Sequence, residues 1–387
     1  MGRRPGYRNV VALGLVSFFT DVSTDMILGV LPAFVVVELR ATRAALGVME
    51  GLAEFLNYAF RLVSGALSDR LGRRKPIIFL GYLMSTLAKP LFAFTASWPQ
   101  AVAVRALDRL GKGVRTAPRD ALISLSVGEE RAGRAFGLHR TLDQLGAVVG
   151  PLAAAALVPL VGTRGVFLAS FVPGVLALLV LALLVVDVRG AVQTWRPGDL
   201  GALLKGRFLV VTLAIALFNL GAYNFSFILV RASELGIPTA LLPLIYMLIN
   251  IIYTGTSYPS GLLADRVGAE RALALGLVIF SITSVMFTQP WTGAYYILPL
   301  ALAFGVYSGI YETLMRAVVS KYAPEELRGT AYGIYYLIVG VAFLTGMTLV
   351  GFLWDSLGRG VAFTYSAAMA LASAIILLVL SRGQKGA

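Results

Sequence analysis

Twelve apolar stretches, each long enough to cross a lipid bilayer, follow one another along a chain of 387 residues. They lie near residues 9–37, 44–66, 76–96, 98–121, 135–160, 164–187, 207–231, 239–263, 271–289, 292–320, 329–354 and 360–381. A hydrocarbon layer about 30 Å thick takes roughly 20 residues of helix to cross, so only short loops remain between them. Hydrophobic residues make up 58% of the chain and charged ones 14%, and mean hydropathy is +0.81. That leaves too little polar surface to cover a water-soluble globule, so the solvent is lipid. The expected fold class is all-α integral membrane, with twelve transmembrane helices.

The net charge of +13 does not point to nucleic acid, because the basic residues sit between apolar runs rather than on one stripe. Alternate loops differ sharply in Lys and Arg. One side holds Arg3, Arg4, Arg8, Arg70, Arg73, Arg74, Lys75, Arg131, Arg134, Arg189, Arg196, Lys205, Arg207, Arg266, Arg271, Lys321, Arg328, Arg382 and Lys385. The other holds Arg40, Arg43, Arg164, Arg231 and Arg359. The asymmetry assigns both termini to the cytoplasm and the protein to the cytoplasmic membrane. No cleavable signal precedes the first stretch. The chain has no cysteine and a single histidine, His139, which excludes disulfides, thiolate metal sites and histidine clusters. It carries no GxxxxGK[ST] loop, HExxH or GxSxG, so neither catalysis nor a cofactor is expected.

Laying residue n on residue n + 196 gives a gapless self-match: Gly65, Asp69, Arg70 and Gly72 fall on Gly261, Asp265, Arg266 and Gly268. It continues through Gly113 on Gly309, Gly137 on Gly333 and Gly150 on Gly346. The chain therefore reads as an N-terminal six-helix bundle (1–187), a cytoplasmic linker (188–206) and a C-terminal six-helix bundle (207–387), duplicated in the same orientation.

The segment Gly65 to Pro76, GALSDRLGRRKP, resembles the loop signature between the second and third helices of the major facilitator superfamily. Parallel halves with a substrate site between them near the membrane midplane fit that family. The resemblance implies a conformational latch built on Gly65, Asp69, Arg70, Gly72 and Arg73, with a partial copy at Asp265. Glu312 and Arg316, four residues apart, suit a gate or a structural bridge at the end of the tenth stretch. GAVVGP, ending the run Gly146, Gly150, Pro151, resembles the fifth-helix signature of the superfamily's exporters. RALDRLGKG resembles its fourth-helix arginine signature, with Arg105 or Arg109 as the signature arginine.

Charge at the bilayer centre costs at least ~2.5–3.5 kcal/mol per residue, so each intramembrane charge needs a partner or a purpose. The first half carries Asp21 and Asp25, Glu50, Glu54 and Arg61, Lys89, then Arg105, Asp108, Arg109, Lys112 and Arg115, and finally Arg140 and Asp143. Asp21, Glu54, Lys89 and Arg109 fall at similar depth, near the midplane. Asp21, Asp25, Glu54, Asp108 and Asp143 are the proton-coupling candidates, because a buried carboxylate beside a cation is poised to exchange protons. Lys89, Arg105, Arg109, Lys112 and Arg115 are substrate or charge-network candidates. His139, at the edge of the fifth stretch, suits a cap or a snorkelling side chain.

The second half differs in kind. Of 16 tyrosines, only Tyr7, Tyr58 and Tyr82 precede the linker. Asn219 and Tyr223, Tyr246, Asn250 and Tyr253, Tyr307 and Tyr311, and Tyr332 and Tyr336 form polar-aromatic helix faces suited to an amphipathic organic molecule or a cation. The resemblance is to the proton-coupled exporter and multidrug antiporter branch. The expected function is alternating-access transport, with a small amphipathic or drug-like molecule as substrate, a proton as coupling ion and the protein a monomer. Two alternatives stay open: uptake of a small organic anion by symport or facilitation, and export of a metal ion or metal chelate.

Overall fold

A computed structural model describes residues 6–127, 129–188, 206–323 and 328–382. The linker expected at 188–206 lies outside them except at its two ends, as do both chain termini. Helices occupy all twelve apolar stretches, and no strand occurs among the described residues.

In chain order they are α1 Tyr7–Leu28, extended by the turns Leu31–Ala33 and Phe34–Glu38; α2 Arg43–Leu71; α3 Lys75–Leu91; and α4 Trp98–Val127. The run Glu129–Ala169 bends at Gly162 (φ 68°), which separates α5 (129–161) from α6, whose second part is Phe171–Leu184. Then come α7, Gly206–Asn219 resumed as Phe225–Glu234; α8 Leu242–Val267; α9 Ala269–Thr288; α10 Ile297–Tyr322; α11 Arg328–Leu357; and α12 Arg359–Arg382. Among the described residues eight runs are long and apolar enough to cross a membrane on composition alone, α5 and α6 counting as the single run Gly133–Leu184. α2 and α4 fall outside that group because of their charges, and α7 because it is broken.

The break in α7 is stabilised locally. Asn224 caps the resumed helix by accepting from the Ser226 N–H at 3.0 Å, and the Tyr365 hydroxyl donates to the Leu220 carbonyl at 2.9 Å. In lipid, freed backbone groups need such partners.

The chain forms two compact units. The first comprises residues 1–34, 56–196 and 239–247, and the second 35–55, 197–238 and 248–387. The outer part of α2 thus clusters with α7 and α9–α12, and the first residues of α8 with α1 and α3–α6.

The first unit is built on a long α1–α5 contact and on α3 against α4. One of its apolar clusters gathers Leu13, Ile78, Tyr82, Leu122, Ala177 and Leu181. The second unit is filled by rings: Tyr223 stands within 4.7–6.3 Å, centroid to centroid, of Phe227, Phe280, Phe287, Phe304 and Phe363.

Candidate functional site

The two helix-1 aspartates sit in a groove on α5. A side chain at Gly146 would meet the Phe18 carbonyl at 2.5 Å and the Asp21 Cβ at 3.0 Å, and one at Gly150 would meet the Val22 carbonyl at 2.7 Å and the Asp25 Cβ at 3.1 Å. Two glycines four apart on α5 therefore face two aspartates four apart on α1. Small residues are what allow backbones to approach this closely in lipid. Asp143 lies one turn before Gly146 on α5 and pairs with Arg140 at 2.9 Å. Asp25 is 6% exposed and accepts from the Tyr246 hydroxyl at 2.8 Å. The structure thus brings Asp21, Asp25, Asp143, Gly146, Gly150 and Tyr246 together.

His139 also faces α1. It is 4% exposed, and its Nε2 lies 2.9 Å from the Ser17 hydroxyl. A ring buried and held against α1 in this way does not suit a snorkelling side chain.

The basic face of α4 is compensated only in part. Asp108 takes Arg105 at 3.2 Å on its own helix and the Ser85 hydroxyl from α3, and both charges are buried. Arg115 lies over the Tyr82 ring at 4.5 Å. Lys89 is 1% exposed and donates to Ser23 at 3.0 Å. Arg109 and Arg115 each keep a buried N–H without a partner among the described residues. Arg119, which the sequence reading did not single out, adds a further cation that pairs with Asp120 at 2.9 Å and reaches Ser17. Lys112 lies half-buried on the same helix.

The remaining candidates are dispersed. Glu54 is half-buried on the outer part of α2, within the second unit, as are Asn250 and Tyr253 on α8. In that unit the Asn219 side chain donates to the Tyr311 hydroxyl at 2.8 Å, and the hydroxyls of Tyr223 and Ser284 are hydrogen-bonded at 3.2 Å. Tyr223, Tyr307 and Tyr311 are buried among other rings. Tyr332 and Tyr336 stack at 6.1 Å, while their neighbour Tyr335, not picked out from sequence, is fully buried.

In the loop between α2 and α3, Gly72 takes φ 62°, a left-handed turn that favours glycine. The turn lets Arg74 fold back onto Asp69 at 3.0 Å. Asp187 accepts the N–H groups of Arg74 and Lys75 at 3.2 Å each and so caps α3. Arg70 and Arg73 are exposed, and Gly65 lies against Ala117. In the copy, Gly268 keeps the turn (φ 93°) and Asp265 is exposed, while Glu270, 2% exposed, takes Lys321 and the Tyr322 hydroxyl at 2.7 Å each. Glu312 and Arg316 stand 4.0 Å apart and are half-exposed.

At the start of α2, Arg43 joins Glu234 and Asp355 within the second unit. Its guanidinium also lies 4.9 Å over the Trp354 ring, and Asp355 accepts the Ala44 N–H at 2.9 Å.

The sequence model of the Major Facilitator Superfamily matches residues 13–253 and 209–387. The chain belongs to this superfamily. It is 31% identical to an uncharacterized MFS-type transporter of Methanocaldococcus jannaschii over 387 residues, covering 96% of this chain and 95% of the relative. It is 26% identical to the multidrug resistance protein MdtH of Shigella boydii serotype 4 over 349 residues, 86% of this chain and 85% of that one. The crystal structure of the nucleoside transporter NupG superposes with a TM-score of 0.82 at 12% identity, covering 96% of this chain and 99% of that one, and shares its fold. The protein is a multi-pass membrane transporter and not an enzyme.

Proposed function

We propose that this superfamily member exports a small amphipathic organic molecule in exchange for protons, by alternating access across the cytoplasmic membrane, with both termini inside. The observation that carries the reading is the α1–α5 groove. The exporter-type glycines Gly146 and Gly150 are the surface on which Asp21 and Asp25 sit, so motif and acids form one structure. Buried carboxyl groups facing one another and a few cations are suited to binding and releasing protons. Tyr246, from α8, hydrogen-bonds Asp25 and connects proton occupancy to a helix of the C-terminal repeat. MdtH, a relative by sequence, is a multidrug resistance protein by name. We assign the latch role to the α2–α3 loop, where Asp69 and Arg74 pair.

The test uses purified protein in liposomes with an imposed pH gradient and a panel of drugs and dyes. Gradient-driven accumulation that is lost in Asp21→Asn is the expected result. Accumulation that ignores the gradient and survives Asp21→Asn refutes the coupling.

A second reading, uptake of a small organic anion, draws on the unpartnered N–H groups of Arg109 and Arg115. Inhibition by carboxylates, together with loss of transport in Arg109→Gln, would favour it over export.

A further inference from the structure

Several buried hydroxyls of the first unit are satisfied by their own backbone. Thr20 on α1 and Thr116 and Ser126 on α4 each donate to the carbonyl four residues earlier. Ser17 on α1, 1% exposed, has no such bond among the described residues. Its hydroxyl instead meets side chains from three other helices: His139 Nε2 of α5 at 2.9 Å, the Arg119 guanidinium of α4 at 3.3 Å and the Tyr82 hydroxyl of α3 at 3.4 Å. A hydroxyl has one proton to give and two lone pairs to offer. Arg119 can only donate, so it takes one lone pair, and the single proton of Ser17 goes either to His139 or to Tyr82.

The direction is decided by the protonation state of His139. A neutral ring with its proton on Nδ1 presents Nε2 as a bare acceptor, and at 2.9 Å, the shortest of the three contacts, it draws the Ser17 proton. Tyr82 then donates to Ser17. A ring protonated on both nitrogens can only donate, so Nε2 takes a lone pair and Ser17 turns its proton to Tyr82. That arrangement sets two cations, the imidazolium and the Arg119 guanidinium, against one buried oxygen, and like charges this close oppose one another. The other charges around His139 are matched: Arg119 with Asp120 on α4 and Arg140 with Asp143 on its own helix, each at 2.9 Å. α3 adds Tyr82, with Arg115 of α4 4.5 Å over its ring, and α1 carries Asp21 one turn beyond Ser17.

We infer that His139 is a proton-binding residue of this transporter, read out through the Ser17 hydroxyl. Neutral His139 takes the Ser17 proton and leaves the hydroxyl oxygen to Arg119, which ties α4 to α1. Protonated His139 reverses the hydroxyl and competes with Arg119, so proton uptake favours the arrangement in which Arg119 has left α1. The step is a simple protonation: a proton from the aqueous phase adds to Nε2, and no bond between heavy atoms forms or breaks. The inference rests on the proton-coupled reading above for its use in transport, and adds to that reading a proton site outside the Asp21–Asp25 groove.

His139 is the only histidine of the chain, so NMR of isotope-labelled histidine nitrogens in the full-length protein, held in lipid nanodiscs, reads this site alone. Nitrogen shifts distinguish the Nδ1–H ring, the Nε2–H ring and the imidazolium, and no transport substrate is required. From about pH 9 down to about pH 4 the expected course runs from the Nδ1–H ring to the imidazolium. Arg119→Gln removes the competing cation and is expected to let His139 take its proton at a pH higher by at least about half a unit. Ser17→Ala keeps every charge and is expected to abolish the preference for Nδ1–H, leaving a mixture of the two neutral rings at high pH. It serves as the second measurement should Arg119→Gln fail to fold. A neutral Nε2–H ring in the unaltered protein, a ring that stays neutral across the whole series, or a titration and tautomer unmoved by both substitutions overturns the inference. Titration that responds to Arg119→Gln, in a protein whose transport ignores the pH gradient, would leave the site standing and remove the export reading. Gradient-driven transport with His139 unmoved by both substitutions would do the reverse.

Discussion

The two repeats share a backbone plan and fill it with opposite chemistry. Asp21, Asp25 and Asp143 correspond, 196 residues later, to Leu217, Gly221 and Val339. Lys89, Asp108 and Arg115 correspond to Val285, Phe304 and Tyr311, and His139 and Arg140 to Tyr335 and Tyr336. Where the first repeat stabilises its interior by neutralising charges, the second does so by packing rings edge to face. Helix packing is the part of the plan that survives: Gly150 lets α5 approach α1, and its counterpart Gly346 lets α11 approach the end of the first part of α7. Charge can be exchanged for aromatic surface without changing the route of the chain, because helix crossing is set by small residues and interior polarity by whatever fills the remaining space.

The sharpest way to break this contrast is to remove one member of a compensated pair. Asp108→Asn strips Arg105 of its carboxylate and is expected to cost about 3–5 kcal/mol, read as a lowered unfolding midpoint in detergent. Unaltered stability would mean that charge compensation does not hold the first unit together. Next in size is Gly146→Ala, which presses against the immobile Phe18 carbonyl and is expected to cost about 1–3 kcal/mol. Gly133→Ala, on the same helix with nothing within 4 Å, serves as its control and is expected to be neutral or stabilising by up to about 1 kcal/mol. Equal effects at the two glycines would dismiss the groove.

In the aromatic unit, Tyr223→Phe keeps the ring contacts and removes only the hydrogen bond to Ser284, for an expected loss of about 0.5–1.5 kcal/mol in thermal unfolding. A larger loss would show that this interior is as polar in its energetics as the first. The smallest effect belongs to Glu312→Gln. Its partner Arg316 is half-exposed at 4.0 Å, and the change is expected to stay within about 0.5 kcal/mol, with transport as the more sensitive readout.

Much of this was legible in the sequence. The spans followed from apolar length, the repeat from glycines and charges at constant offset, and the loop signature from its spacing. The partners of the intramembrane charges were not legible. The i, i+3 spacing allowed Arg105 to meet Asp108, but nothing in the sequence showed that Ser85 of α3 would join them or that Arg115 would lie over Tyr82. The acid groove needed two facts from different helices, the Gly146–Gly150 step and the Asp21–Asp25 step, whose registers only the fold aligns. That Tyr223, Tyr307 and Tyr311 lie among other rings was equally hidden, because the neighbouring rings come from several helices. The burial of His139 was not legible either, because its partner Ser17 lies on another helix.

The charge content of α4 has a consequence for how the protein is made. Trp98–Val127 carries Arg105, Asp108, Arg109, Lys112, Arg115, Arg119 and Asp120, and insertion scales put a lone central Arg, Lys or Asp at about +2.5 to +3.5 kcal/mol. Such a segment is a poor client for the translocon by itself. Its acceptance by the bilayer depends on α3 having arrived first with Ser85 and Tyr82, and on α1 with Ser17. Biogenesis of the first repeat is therefore a cooperative event in which a late helix enters through the side chains of earlier ones, whereas apolar helices such as α9, α11 and α12 can partition one at a time.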